Sequence, residues 1–349
     1  MKINRPTSLP LDKFIEFALY DKVSGYYMKK NPFGKDGDFI TAPNITRLFS
    51  EIIAIWVVTF WKSIGSPKKF NLLELGAGNG EMMKVIWATL ENFPECFNSC
   101  SFSIHEKSDF LINKQKGNLK SEKISWIKDI KQVNSHPTIF LANEFFDALP
   151  IKQFFKKKED WIERFVNLKE ENKAEFKEQL TDIKKIEQQL NFEISKNQNI
   201  IEYSPDTFKY LKNICSIVNK NDGGILIIDY GYLSSKMHET LQAVNNHKHS
   251  NVLEDIGDSD ITYNINFNLL NKFIEQFSDL NSIVSNQKNF LTSMGILQRA
   301  EMVSENIPFS KKTDLFYRIR RLIDEKQMGE LFKVMLIKKS KNKFNTGFQ

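Results

Sequence analysis

Apolar and polar positions change their spacing several times along the chain, and each change marks an expected element. LDKFIEFALY, residues 11–20, carries its apolar residues at helical intervals. SGYYMKKNPFGKDGDFITAP, residues 24–43, loses that period and collects Gly and Pro, so it reads as a loop. Residues 46–64 return to a helical and strongly apolar pattern. Short apolar runs then alternate with amphipathic stretches. The spacing predicts strands over 70–75, 101–105, 124–127 and 138–142, with helices over 81–91 and 109–116. Strands alternating with helices predict a parallel sheet with crossover helices.

That order breaks at residues 151–203. Here IKQFFKKKEDWIERFVNLK reads as a hairpin and EFKEQLTDIKKIEQQL as an exposed polar helix. The alternation resumes with a helix over 205–219, the turn Asn221-Asp222-Gly223-Gly224 and a strand over 225–229. Helices are expected near 267–278, 289–303 and 311–326, then a last strand over 331–338. The Lys-rich end, KKSKNKFNTGFQ, reads as frayed. No internal repeat is evident.

Composition changes this picture little. A 349-residue chain with 41% hydrophobic and 12% aromatic residues has ample material for a buried core. The net charge of +6 is mostly lysine, since only Arg5, Arg47, Arg164, Arg299, Arg318, Arg320 and Arg321 are arginines. A lysine excess spread along the chain is a solvated surface rather than a nucleic-acid stripe. Cys96, Cys100 and Cys215 are odd in number and lie in no Cys/His cluster at metal spacing, so reduced thiols and no metal site are expected. The start, MKINRPTSLPLDKF, has neither an apolar signal region nor an Arg/Ser-rich presequence. The longest apolar run, residues 52–61, is about half of what a membrane span requires. A cytoplasmic protein without membrane insertion is therefore expected.

The chemistry begins at NLLELGAGNGEMMKVI, which puts Gly76, Gly78 and Gly80 between a strand and a helix. Glycines there let the backbone turn tightly and approach a ligand beside a helix N-terminus. A dinucleotide fingerprint would read GxGxxG, whereas this is GxGxG. Glu74 stands two residues before the first glycine, where a pyrophosphate would be repelled and a cationic ligand welcomed. S-adenosylmethionine, with its ammonium and sulfonium, fits that acid. The second strand ends in Glu106, placed to accept ribose hydroxyls, and the third leads to Asp129, placed to accept from the adenine amino group. Each acid alone also reads as a surface residue. Three in the order this cofactor needs, at the strand edge where α/β sheets bind ligands, point to a site. The fourth strand ends in NEFFDALP, with Asn143 expected beside the cofactor and Glu144 and Asp147 as the substrate-facing acids.

Eight stretches in order carry a specific resemblance. They are SGYY (24–27), GDFITAP (37–43), LELGAGNG (73–80), NEFFDALP (143–150), WIERFV (161–166), IDYG (228–231), SDIT (259–262) and MGELFKVM (328–335). On these the chain resembles the MidA family of S-adenosylmethionine-dependent methyltransferases, which includes a mitochondrial complex I assembly-factor protein arginine methyltransferase. The resemblance implies an α/β, class I methyltransferase (Rossmann-like) fold with a mostly parallel seven-stranded sheet and helices on both faces. It implies family-specific insertions too, and the pattern along the chain divides it into an N-terminal helical extension with a cofactor-covering loop (1–66), a first core segment (67–150), and an inserted hairpin-and-helix substrate region (151–203). A second core segment (204–340) and a frayed tail (341–349) complete the division. The resemblance also implies an arginine of a protein substrate as methyl acceptor, in a subunit of the respiratory NADH dehydrogenase. The chain departs from the family pattern at Asn44, Asn264 and Asn266, where an acid, a His and an Asp are expected.

Methyl transfer asks mainly for placement and exclusion of water. A guanidinium is always protonated, so carboxylates that bind it must draw its charge away from the attacking nitrogen. Glu144 and Asp147 would do this, with Phe145 and Phe146 as a dry wall and possible cation–π partners. The loop Gly37-Asp38-Phe39-Ile40-Thr41, hinged by Gly34 and Gly37, is expected to fold over the cofactor. Methylation of another amine or a carboxylate is the competing enzymatic reading. A non-catalytic, cofactor-binding assembly chaperone is the competing reading of another class, and an NAD-linked oxidoreductase the third.

Overall fold

The computed structural model describes residues 7–29, 32, 41–119, 123–169, 173–245 and 248–349. Of the expected cofactor-covering loop, residues 37–41, only Thr41 is among them, and the hinge Gly34 lies outside. The chain divides into two compact units, 31–145, 212–231 and 274–349 in one and 1–30, 146–211 and 232–273 in the other.

The larger unit is built on the strand Phe70–Leu75, whose six residues are all buried. Burial on both faces is the mark of a central strand in a helix-covered parallel sheet. It pairs in parallel with Cys100–His105 on one side and Thr138–Asn143 on the other. Parallel pairing continues outward to Ile124–Ile127 and to Gly223–Tyr232. Beyond Gly223–Tyr232 runs Phe332–Lys339, antiparallel to it and to the edge strand Leu280–Asn286. The sheet is thus mixed and has eight strands, seven of them on this path, rather than seven in all. Leu280–Asn286 was not legible in the sequence. LNSIVSN is a polar edge strand without an alternating apolar face, and only its pairing with Phe332–Lys339 makes it one.

The apolar run 52–61 lies within the helix Arg47–Ser63, which turns Phe49, Ile53, Trp56, Val57 and Phe60 into the core. Its start is capped by Thr46, whose hydroxyl accepts from the Leu48 amide at 3.3 Å. No helix among the described residues is long and apolar enough to cross a membrane. The end of the chain is a correction, because residues 341–349 are not frayed. Phe344 packs edge-on against Trp56 and Phe60, with centroids 5.9 and 5.2 Å apart, and Phe348 packs against Phe290 at 5.4 Å. Two aromatic anchors among lysines outweigh the local polarity.

The smaller unit holds a five-stranded antiparallel sheet. Its path runs Thr7–Pro10, Asp160–Leu168, Lys152–Lys157 and Ile200–Tyr203, and Ala174–Thr181 also pairs with Asp160–Leu168. The expected hairpin is present and turns at Lys158, which adopts φ +57°. The expected helix over EFKEQLTDIKKIEQQL is half strand. Ala174–Thr181 is extended, and only Ile183–Leu190 is helical, starting after the N-cap Asp182. The strand pairs along its length with Asp160–Leu168, and Arg164 of that strand stacks on Phe155 and Phe176, 4.5 and 4.6 Å from the ring centroids. That cross-strand contact is invisible to local pattern. A three-stranded sheet of Lys248–Ser250, Gln242–Asn245 and Asp260–Thr262 belongs to the same unit and was not anticipated.

Candidate active site

The turn after Phe70–Leu75 bends through Gly76, Gly78 and Gly80 at φ +63°, +54° and +82°. All three are left-handed, where a side chain is disfavoured. A Cβ on Gly76 would stand 2.7 Å from Cδ2 of Phe145, so this glycine also makes room for the ring. Gly80 is the residue before the helix Glu81–Leu90. The turn's edges are tied down: the Gly76 amide donates to the His105 carbonyl at 2.9 Å, and the Glu81 amide to Asn79 Oδ1 at 3.2 Å.

A cavity opens over this turn. Among the residues lining it are Gly76, Gly78, Glu74, Asn143 and Glu144 of the expected set, and also Asn44, Asn79 and Met82. Gly80, Glu106 and Asp129 are not on its wall. Glu74 is 3% exposed, and its Oε2 accepts no hydrogen bond among the described residues. Burial, and then the charge of Glu106, push its carboxyl up to about 8, while a bond from the Met83 amide pulls the other way. An unsatisfied buried acid is costly unless something arrives to pair with it.

Glu106 is buried too and raised by that burial, opposed by donors on both oxygens. Ser108 donates its amide to Oε1 at 2.9 Å, and Gln115 donates to Oε2 at 3.2 Å. Asp129 lies off the cavity wall. It is exposed and caps the short helix Ile130–Gln132, its Oδ1 accepting from the Lys131 amide at 2.9 Å. A capping box engages this carboxylate locally.

Asn143 ends its strand with an Oδ1 that accepts nothing among the described residues, while its Nδ2 donates to Glu144 Oε1 at 3.1 Å. The same Glu144 oxygen accepts from the Ala42 amide at 3.3 Å. Glu144 itself sits at φ +49°, a left-handed conformation that a non-glycine residue adopts at a cost. Asp147 is buried but belongs to the smaller unit, where burial first, then Asp260 and to a lesser degree Asp147, raise the phenol of Tyr27, a donor to Asp260 at 2.8 Å.

Sequence reasoning missed Asn79, Met82 and Gln115. It noted Asn44 only as a departure from a family pattern. In the structure Asn44 accepts from Asn79 Nδ2 at 2.9 Å and donates to Thr41 at 2.8 Å. Gln115 left one trace in the sequence: it is an uncharged polar residue in the buried register of its helix, four residues after Leu111.

A glycine turn at the carboxyl edge of a mostly parallel sheet, with an orphaned buried acid on its wall, defines an α/β methyltransferase. The chain belongs to the family of S-adenosyl-L-methionine-dependent methyltransferases whose model matches residues 52–285, and it is MidA-like, as its motifs implied. It is 27% identical over 357 residues to the mitochondrial protein arginine methyltransferase NDUFAF7 of Xenopus laevis, covering 95% of this chain and 81% of that protein. The human NDUFAF7 is 27% identical over 358 residues, with 95% of this chain and 80% of that protein covered. A Burkholderia thailandensis crystal structure with bound S-adenosyl-homocysteine superposes with a TM-score of 0.80 at 21% identity, covering 98% of this chain and 89% of that one.

S-adenosylmethionine is the cofactor, and the chain is a methyltransferase. The residues present fit that group: the turn bends through three left-handed glycines on the cavity wall or beside it, and the buried Glu74 Oε2 and Asn143 Oδ1 are acceptors with no donor among the described residues. When bound, the cofactor supplies an electrophilic methyl.

Proposed function

We propose that this methyltransferase acts on an arginine side chain of a protein. The observation that carries the reading is Glu144, a carboxylate on the cavity wall beside the glycine turn, held in left-handed backbone and anchored by Ala42 and Asn143. Strain of this kind persists where the surrounding structure imposes it for a purpose. A carboxylate at that place orients a guanidinium and holds its charge away from the attacking nitrogen. Glu74, Asn143 and the turn residues Gly76, Gly78 and Gly80 are assigned to the cofactor. Glu106 is assigned to its ribose, and Asp129 is retained for the adenine amino group. Asp147 is kept as a second candidate carboxylate for the substrate. The relatives' names support arginine as the acceptor. A subunit of the respiratory NADH dehydrogenase is the target that the family resemblance suggests.

The test is methyl transfer from labelled S-adenosylmethionine into a lysate, followed by complete hydrolysis and amino-acid analysis. Label in methylated arginine is expected. Label in another amine or in an ester assigns a different acceptor. No transfer by a protein that binds the cofactor tightly makes it a chaperone instead.

A further inference from the structure

We propose that Gln115 is a positioning residue for the cofactor, one amide that locks the Gly78 carbonyl and the Glu106 carboxylate to each other. This rests on the reading that the glycine turn and Glu106 hold S-adenosylmethionine. Gln115 lies on the helix Asp109–Leu119 and is 0% exposed. A polar side chain so buried must satisfy its amide inside the protein, and Gln115 does so against three elements. Its Nε2 donates to the Gly78 carbonyl at 2.9 Å and to Glu106 Oε2 at 3.2 Å. Its Oε1 accepts from the Trp126 indole at 2.8 Å.

The third bond decides the other two. An indole N–H only donates, so the end of the amide facing Trp126 must be oxygen. Rotating the amide by half a turn would set N–H against N–H, and oxygen against a carbonyl and a carboxylate. Only one orientation is left, and it points the donor at the site. Glu106 is then held on both oxygens, by Gln115 and by the Ser108 amide, which fixes the plane of its carboxylate. The Lys107 amide donates to Glu106 as well, so of the carboxylate's roughly four lone-pair positions about one remains for a hydroxyl of a ligand. The helix lies close against the turn as well, with Gln115 Cγ 3.5 Å from where a Cβ on Gly80 would be. Gln115 therefore sets the spacing between turn and acid before any ligand arrives, and preorganisation of this kind appears as affinity.

The test measures S-adenosyl-homocysteine affinity by calorimetry, with thermal unfolding of the ligand-free protein alongside. Gln115→Met keeps the shape and deletes the bonds. It should weaken binding about tenfold and raise the cofactor KM, while kcat at saturating cofactor stays within about twofold. Gln115→Glu puts a second carboxyl 3.2 Å from Glu106, and two acids that close share a proton. Relative to wild type at each pH, its affinity should be poorest near pH 8 and recover as pH falls, when the shared proton restores the donor. Trp126→Phe frees the amide to rotate and should lose less affinity than Gln115→Met.

A purely structural Gln115 would lower the unfolding temperature of both Gln115 variants with unchanged affinity and no recovery at low pH, and that result overturns the proposal. Glu106→Ala run in parallel separates the two levels. If Glu106→Ala binds normally, the reading of the cofactor site has failed. If Glu106→Ala binds poorly while folded Gln115→Met binds normally, only the role of Gln115 has failed. Should Gln115→Met not fold, the pH profile of Gln115→Glu and the affinity of Trp126→Phe decide.

Discussion

Two glutamates, one in each unit, are buried to the same degree: Glu74 is 3% exposed and Glu202 is 4% exposed. Burial raises the carboxyl of each. Their surroundings are opposite. Glu202 accepts from Gln153 Nε2 at 2.5 Å, from the Thr240 amide at 3.1 Å and from the Thr240 hydroxyl. Gln153 in turn accepts from Arg164 at 2.7 Å. Every donor in that network belongs to the smaller unit, and the network ties the strands at 152–157 and 200–203 to the segment that follows residue 232. Glu74 has one oxygen left with no donor among the described residues. Asn71, on the same strand, shows that this sheet can satisfy a buried polar side chain, since its Nδ2 donates to Asn134 and Thr138 at 2.9 and 3.0 Å. A buried acid with its donors in place holds a fold together. A buried acid without them, at the carboxyl edge of a parallel sheet, waits for a cation.

The contrast is sharpest in stability. Glu202→Ala removes the acceptor shared by Gln153 and Thr240 and leaves buried donors unpaired, which should cost about 3–4 kcal/mol of unfolding free energy. Denaturant titration measures it, and the cofactor affinity of the folded protein should not change. Equal stability of this variant and the wild type would erase the distinction between the two acids.

The next effect is on turnover. Glu144→Gln should reduce methyl transfer roughly ten- to a hundredfold, the kinetic equivalent of about 1.5–3 kcal/mol for a lost charged hydrogen bond, with cofactor affinity within about twofold. The same loss is expected for Asp147→Asn if that acid also meets the guanidinium. Full turnover by Asp147→Asn would leave Glu144 as the only acid acting on the substrate.

Glu74→Gln should behave as the inverse of Glu202→Ala. S-adenosylmethionine affinity should fall about tenfold, or about 1.4 kcal/mol. Unfolding free energy should not fall and should rise above the wild type near pH 8. The sign follows from proton counting. Glu74 holds its proton in the folded protein up to about pH 8, whereas an unfolded glutamate loses it near pH 4.5. Between those values the folded state binds the extra proton, so its stability declines as pH rises through the window, and the glutamine variant is spared that decline.

The smallest effect is the most diagnostic. A cation pairing with Glu74 requires the ionised acid, so affinity should climb as pH approaches about 8, with a proton released on binding below it. Calorimetry in two buffers of different ionisation heat counts that proton. Glu74→Gln should release none from this position, and release undiminished in the variant would place the proton elsewhere.

What the sequence by itself determined was whatever depends on neighbours along the chain. The strand-helix alternation, the glycine turn and the acid before it were legible because a period, a φ requirement and a charge at a strand end are local properties. The position of Glu144 at the end of its strand was legible for the same reason, though not its left-handed backbone. The tertiary structure alone decided matters set by residues far apart in sequence. Ala174–Thr181 is a strand because it pairs along its length with Asp160–Leu168, and Phe344 and Phe348 of the last nine residues pack on Trp56, Phe60 and Phe290. That Asp129 also caps the helix Ile130–Gln132 is not visible in the charge pattern alone. Gln115 gains its meaning only when residues 78, 106 and 126 converge on one amide. Periodicity reports which face of an element is buried; it carries no record of which donor will meet which acceptor once faces are pressed together.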